Sequence, residues 1–233
     1  MLNRSALTAA LKRHGLTLRG GFIPTLADPL PALADGRAAA VVWMVGVVGS
    51  GFWTHFTASA FFKDGLPDPL DRWSAHIGQT LATQGGGRAL FPFDGPPYHP
   101  FQQWADRSEP TQSSAMMLRM HPQYGLWHAY RFALALPELD GSDAAALTPV
   151  RVAAVTGICA ACAGQPCLRA CPVGAYTGER FQVDACAAYL HAHPDSTCMQ
   201  QGCLARRACP EGLDYRYTPA HATFHMQAFV KHH

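Results

Sequence analysis

The sequence is poor in charged residues and has no excess of either sign. Asp, Glu, Lys and Arg make up 15% of the 233 residues, and the formal net charge is +2 at pH 7. Lys and Arg form no run, and a pair such as Arg206-Arg207 is typical of solvated surface. This charge balance argues against a nucleic-acid-binding protein, so no nucleic-acid partner is expected.

The sequence also lacks a long apolar run. Its longest apolar run, residues 38–49, is interrupted by Gly46. A membrane-spanning helix needs about 20 apolar residues, which is more than this run contains. Arg4, Lys12 and Arg13 are not followed by the apolar stretch of a secretory signal. We therefore expect a cytoplasmic protein without a membrane span. The apolar run itself predicts a strand buried on both faces.

Cysteine is absent from the first 158 residues, and all eight cysteines lie between residues 159 and 209. Eight thiolates are the number required by two [4Fe–4S] clusters. Two zinc sites or four disulfides are the alternatives. Zinc ribbons favour two C-x2-C pairs, whereas only one is present, and disulfides need an oxidising compartment. The cysteines occur as Cys159-x2-Cys162-x4-Cys167-x3-Cys171-Pro172, then Cys186, then Cys198-x4-Cys203-x5-Cys209-Pro210.

Both cysteine blocks end in Cys-Pro, which resembles the bacterial two-cluster ferredoxin pattern C-x2-C-x2-C-x3-C-P. The longer spacings within the blocks depart from that pattern and contain turn-forming residues such as Gly164 and Gly202. In ferredoxins the cysteine before proline ligates the other cluster. The resemblance therefore implies one ligand set of Cys159, Cys162, Cys167 and Cys209, and a second of Cys171, Cys186, Cys198 and Cys203.

The rest of the sequence predicts a mixed α+β protein. Helices are expected at 2–14, at 69–82, from residue 98 and at 220–230, and strands at 88–93 and 126–137. The last helix is expected to pack Phe224 and Phe229 against the N-terminal α/β domain and to expose His221 and His225. A linker at 140–145 separates a ligand- or cofactor-binding domain, residues 1–148, from a cysteine domain, residues 149–233.

A second resemblance covers the N-terminal domain. His121-Pro122-Gln123-Tyr124-Gly125-Leu126-Trp127 is similar to a turn and strand of CblC-type cobalamin-processing chaperones and of epoxyqueuosine reductases. Tyr98-His99-Pro100-Phe101 resembles a helix start in those reductases. The resemblance implies a nitroreductase-like α/β domain followed by a two-cluster ferredoxin-like domain. Residues 108–114 lack the Asp-Ser of the reductases, so queuosine chemistry is not expected.

Candidate pocket residues follow from these segments. His121, Tyr98 and His99 are candidate catalytic residues, although a lone histidine is more often structural. Gly49 and Gly51 form a small-residue loop that either approaches a ligand or only makes a turn. Arg131 lies within an apolar strand and requires a partner, which is either a ligand anion or an Asp or Glu. Trp127 is either a cofactor contact or a core residue.

The sequence thus predicts an iron–sulfur redox protein that passes low-potential electrons to a cofactor or substrate in its N-terminal domain. A corrinoid such as cobalamin is the first choice, and flavin is not excluded. A ferredoxin or flavodoxin reductase is the expected type of external electron donor. Alternatives are a ferredoxin-type carrier with a non-catalytic docking domain and a zinc-stabilised binding protein. The sequence leaves open whether the protein is an enzyme.

Overall fold

The computed structural model describes residues 2–147 and 157–233, and the chain forms two compact units. The first unit comprises Met1–Pro110 and Ala129–Arg151, and the second comprises Thr111–His128 and Val152–His233. The segment Thr111–His128 therefore belongs to the second unit although the chain on both sides of it belongs to the first. The predicted boundary between residues 148 and 149 lies outside the described residues and stays a prediction.

The first unit combines helices with most of one sheet. Its strands are β1 (Thr17–Phe22), β2 (Val41–Val48), β3 (Arg88–Leu90) and, apart from its first residue, β6 (His128–Leu136). Its helices are α1 (Arg4–Lys12), α2 (Trp53–Ala58), α3 (Ala60–Lys63), α4 (Pro69–Gly85), α5 (Phe101–Ser108) and α6 (Gly141–Ala146).

The sheet has the strand order β1-β2-β6-β3, and β1 pairs antiparallel with β2, as β3 does with β6. All residues of β2 from Val41 to Val47 are buried, which confirms the predicted doubly buried strand. On one face, Val42 and Met44 pack in a single cluster with Trp104 of α5. Helix α4 contacts β3, and its Gly78 lies against Phe132 of β6.

A buried ion pair joins Arg19 of β1 to Glu109, the residue that follows α5. The Arg19 side chain is fully buried and donates from Nε and Nη2 to the two carboxylate oxygens of Glu109, at 2.7 and 2.6 Å. Tyr130 of β6 donates its hydroxyl to the same carboxylate at 2.8 Å. Because the Glu109 carboxylate accepts hydrogen bonds from both Arg19 and Tyr130, these bonds offset the desolvation cost of burying the charged groups.

The second unit contains short strands and mostly short helices. Its strands β4 (Gln112–Ser113) and β5 (Arg119–Met120) pair antiparallel. Its helices are α7 (Ile158–Ala161), α8 (Pro166–Arg169), α9 (Val183–Ala192), α10 (Thr197–Gln201), α11 (Leu204–Arg207) and α12 (Pro219–His232), with a 3-10 turn at Leu213–Tyr215. The predicted mixed α+β class is confirmed. Within the described ranges, none of the helices has the length and apolar character needed to cross a membrane.

Helix α12 corrects one expectation about its histidines. It packs against α9 and α10, and His221 is fully buried instead of exposed. The His221 ring stacks on Tyr217 at a centroid distance of 3.9 Å, and its Nε2 lies 3.0 Å from Nε2 of His225. Aromatic stacking and this paired contact therefore stabilise the buried imidazole.

Candidate metal centres

The eight cysteines are free thiols, and they line two separate cavities in the second unit. The first cavity is lined by Cys159, Cys162, Cys167 and Cys209. The second cavity is lined by Cys171, Cys186, Cys198 and Cys203. This grouping coincides with the two ligand sets that the ferredoxin resemblance implies.

Short helices and left-handed turns bring three cysteines to the first cavity. Cys159 lies in α7, Cys162 is the residue at which that helix ends, and Cys167 lies in α8. Gly164 and Gln165 connect the two helices with φ angles of +68° and +39°. The insertion that lengthens the spacing between Cys162 and Cys167 therefore forms a tight reversal.

The second cavity draws its cysteines from three helical segments. Cys186 lies in α9, Cys198 lies in α10, and Cys203 directly precedes α11. Gly202 turns the chain between the last two with a φ of +90°, and a Cβ there would lie 2.8 Å from Cβ of Ala222. Glycine at this position thus allows the turn beside Cys203 to approach α12 closely.

Two short helices, α8 and α11, each lead from a cysteine of one cavity to a cysteine of the other. Helix α8 contains Cys167 of the first cavity and is followed by Cys171 of the second. Helix α11 follows Cys203 of the second cavity and precedes Cys209 of the first. The two helices pack against each other. Four residues of helix rise by about 6 Å, so the cavities are close neighbours.

Apolar side chains from the segment Thr111–His128 complete the wall of the first cavity. Met116, Met120 and Leu126 line it, and all three are almost fully buried. They form one hydrophobic cluster with Ala205 and Cys209, and cysteines of both sets pack against that cluster. The same apolar core therefore supports both cavities.

Two glycines allow direct backbone packing between this segment and the chain that follows Cys209. A Cβ on Gly125 would lie 2.3 Å from the carbonyl oxygen of Glu211, and one on Gly212 would lie 2.4 Å from the carbonyl carbon of Tyr124. Both glycines have positive φ angles, +56° and +67°. Because backbone atoms cannot move aside as a side-chain tip can, this contact fixes the position of the first cavity's wall.

Burial raises the pKa of several of the cysteine thiols and so disfavours their ionisation. Burial, together with the neighbouring Cys203, Cys171 and Cys198, raises the pKa of the Cys186 thiol to about 11. The pKa values of Cys167 and Cys209 in the first cavity are also raised by burial. A bound cationic metal centre would compensate this cost, since it favours the thiolate and releases the thiol proton.

Backbone N–H groups point at several of the sulfurs. The N–H of Ala175 donates to Sγ of Cys171 at 3.3 Å. The backbone N–H groups of Arg206 and Ala205 favour the Cys203 thiolate and lower the pKa of that thiol, against the larger effect of burial. Such donors stabilise negative charge on sulfur, as they do around metal-bound thiolates.

In the described parts of the chain, no group of three or more His, Cys, Asp or Glu side chains is placed so that it could hold a single metal ion.

His121, a candidate catalytic residue, lies in a turn of the second unit. Its Nδ1 accepts the backbone N–H groups of Gln123 and Tyr124, at 3.1 and 3.3 Å. Its ring stacks on Tyr124 at a centroid distance of 4.2 Å. These contacts give the imidazole a structural part in holding the turn that precedes Gly125.

Trp127, a candidate cofactor contact, is buried in the second unit beside Tyr217. The Arg206 guanidinium lies over both rings, 4.8 Å from the Trp127 centroid and 4.4 Å from the Tyr217 centroid. It also donates to the carbonyl oxygen of Leu126. Trp127 therefore anchors α11 by ring and cation contacts, which are favourable when desolvated.

The other candidate pocket residues lie in the first unit. Arg131 donates to Asp71 at 2.5 Å and to Ser74 at 3.1 Å, which is the carboxylate pairing left open by the sequence. Tyr98 is 65% exposed, and His99 stacks on Trp104 at 5.5 Å. Gly49 and Gly51 form the turn between β2 and α2, and Gly49 has a φ of +55°.

Sequence reasoning did not identify Met116, Met120 or Tyr176 as neighbours of the cysteines. Tyr176 lines the second cavity and is a few residues beyond Cys171, so closeness in sequence could have suggested it. Met116 and Met120 precede the first cysteine by about forty residues. Their only local signal is that they lie four residues apart, as neighbours on one helix face do. Their role follows from long-range packing.

No family model and no curated protein matches this sequence. What the two cavities bind is therefore inferred from their own residues. Each has four thiols, apolar walls and N–H donors to sulfur.

Proposed function

We propose that the second unit holds two [4Fe–4S] clusters and transfers single electrons through them. The observation that carries this proposal is the division of the eight cysteines into four around each cavity. Four thiolates are the usual ligand set of such a cluster, which supplies one-electron redox chemistry when bound. Apolar surroundings and N–H donors to sulfur suit a buried anionic centre.

The crossed arrangement favours clusters over zinc. In each block, the cysteine before proline lines the cavity whose other cysteines lie mostly in the other block. That exchange is typical of two-cluster ferredoxins, whereas structural zinc sites usually take paired C-x2-C ligands. The common hydrophobic cluster between the cavities supports electron passage from one to the other, because cysteines of both sets pack against it.

Metal and sulfide analysis tests this proposal. Protein purified without oxygen is expected to be brown and to contain about eight iron and eight acid-labile sulfide atoms per chain. Its broad visible absorption should bleach when dithionite is added. A colourless protein with two zinc ions and no sulfide would instead support the zinc-stabilised alternative.

We further propose that the electrons pass to a cofactor or substrate held by the first unit, with a corrinoid as first choice. The support is a sequence resemblance to corrinoid-handling and related reductase domains, carried by the segment around Tyr98 in the first unit and by the segment around His121 in the second. An external reductase would supply the electrons. A carrier with a non-catalytic docking domain is the second candidate, because Arg131 is already paired with Asp71, and His121 with turn N–H groups.

Ligand titration separates these two candidates. If the first unit binds a corrinoid near Tyr98, the protein should bind cob(II)alamin more tightly than it binds flavin mononucleotide. It should also bind cob(II)alamin more tightly than serum albumin does. Removing an exposed aromatic contact by Tyr98→Ala should weaken binding by about tenfold. Leu66→Ala, which trims another exposed apolar side chain, serves as the control and should leave binding unchanged. Binding no tighter than that of serum albumin would favour the carrier.

A further inference from the structure

His221 and His225 are two histidines of α12 that the proposed clusters do not use. They lie four residues apart, so their side chains extend from the same face of the helix. Their Nε2 atoms are 3.0 Å apart, and their ring centroids are 4.8 Å apart with an interplanar angle of 50°. Helix α12 therefore brings two imidazole nitrogens together at one point of the second unit.

Packing fixes the orientation of this histidine pair. The His221 ring is fully buried and stacks on Tyr217 at a centroid distance of 3.9 Å. Tyr217 is itself held by the Trp127 ring, at a centroid distance of 5.4 Å, and by the Arg206 guanidinium, at 4.4 Å. His225 is only half-buried, so solvent reaches the pair from its side. Ligand groups that are oriented before binding lose little conformational entropy when an ion binds.

The distance between the two nitrogens matches a metal ion whose ligands are at right angles. With nitrogen ligands about 2.0–2.1 Å from the ion, two nitrogens at a right angle are about 2.9 Å apart, and two at the tetrahedral angle are about 3.3 Å apart. The observed 3.0 Å is closer to the right angle. Square-planar and tetragonal geometry is typical of Ni²⁺ and Cu²⁺, whereas Zn²⁺ prefers tetrahedral sites.

The contact between the two rings is a hydrogen bond, in which one Nε2 donates and the other accepts. An ion needs the lone pairs of both Nε2 atoms. The donating ring supplies its lone pair by losing its Nε2 proton and taking up one at Nδ1, since neutral imidazole carries its proton on either nitrogen. The exchange releases no net proton. The rings are also inclined, because centroids 4.8 Å apart are too close for a head-on contact at this Nε2–Nε2 distance, and an inclined pair can direct both lone pairs at one ion.

We propose that His221 and His225 bind one divalent transition-metal ion, with Ni²⁺ or Cu²⁺ preferred over Zn²⁺. Among the residues that the structure describes, no third His, Cys, Asp or Glu completes the pair, so water molecules supply the remaining ligands. Such a site exchanges its ion with solvent, unlike a closed structural site with four protein ligands. The inference is independent of the proposed function, because neither histidine lines a cysteine cavity.

Titration of the intact protein with Ni²⁺ tests this site, because Ni²⁺, unlike Cu²⁺, does not oxidise thiols. Protein purified without oxygen should bind one Ni²⁺ per chain in isothermal titration calorimetry, and it should bind Zn²⁺ more weakly. X-ray absorption at the nickel edge should then show nitrogen and oxygen neighbours with the outer-shell scattering of imidazole. Sulfur neighbours would place the ion at the cysteines and overturn the inference, whether or not the protein contains iron and sulfide.

His225→Gln separates a ligand role from a structural one. The amide of glutamine can still form a hydrogen bond to His221 but replaces an imidazole ligand, so Ni²⁺ binding should weaken by more than about tenfold while the midpoint of thermal unfolding without Ni²⁺ stays unchanged. His232→Ala, which removes another histidine of α12, is the matched control and should leave Ni²⁺ binding unchanged. Equal binding by the unmodified protein and His225→Gln would contradict the inference, as would loss of binding in His232→Ala alone.

Discussion

Replacing Cys171 with alanine is expected to abolish the proposed cluster of the second cavity and to spare the proposed cluster of the first. Cys171 belongs to the first cysteine block in sequence but lines the second cavity with Cys186, Cys198 and Cys203. The variant should therefore retain about half of the iron, as one of two four-iron clusters. Iron analysis and the electron paramagnetic resonance signal of the remaining cluster measure the outcome.

Cys167→Ala is the matched control, because Cys167 lies only four residues earlier and in the same block. It lines the first cavity, so this variant should lose the other signal and keep the cluster of the second cavity. If both variants lost the same cluster, each block would ligate its own centre, and the crossed arrangement would be wrong.

Gly212→Ala should strongly destabilise the second unit. Its φ of +67° is unfavourable for alanine, and the added Cβ would lie 2.4 Å from the backbone of Tyr124. The left-handed conformation costs about 1–2 kcal/mol and overpacking about 1–3 kcal/mol. The free energy of unfolding should therefore fall by about 2–5 kcal/mol, measured by denaturant unfolding without oxygen.

Gly174→Ala isolates the conformational part of that cost. Gly174 has a similar φ of +60°, but an added Cβ would meet no atom within 4 Å. Its substitution should cost only the about 1–2 kcal/mol of backbone strain. Equal losses in the two variants would mean that the packing against Tyr124 contributes little.

Local sequence patterns predict much of the fold and the grouping of the cysteines. The apolar run 38–49 becomes the buried strand β2, and the Asp68-Pro69 start with a glycine end gives α4. The cysteine grouping is implied by the resemblance of the Cys-Pro blocks to two-cluster ferredoxins, in which the cysteine before proline ligates the other cluster. The strand and the helix depend on residues close together in sequence, whereas the first cysteine set extends from Cys159 to Cys209.

The remaining features depend on contacts between distant residues. Arg131 finds its partner Asp71 sixty positions earlier, and nothing in the apolar strand distinguishes that partner from a ligand anion. His221 is buried because Tyr217 stacks on it, whereas its spacing to His225 equally suits an exposed helix face. Met116 and Met120 reach the first cavity by tertiary packing, which no local pattern encodes.

Because Thr111–His128 belongs to the second unit and lines the first cavity, the part of the chain that carries the eight cysteines cannot form that cavity alone. A fragment starting at residue 149 would retain every thiol but would lose Met116, Met120 and Leu126 from the wall of the first cavity. It would also lose Tyr124 and Gly125, against which Glu211 and Gly212 pack. Excising the cysteine-rich part would therefore open the first cavity to water and leave the second better protected, even with all eight cysteines present.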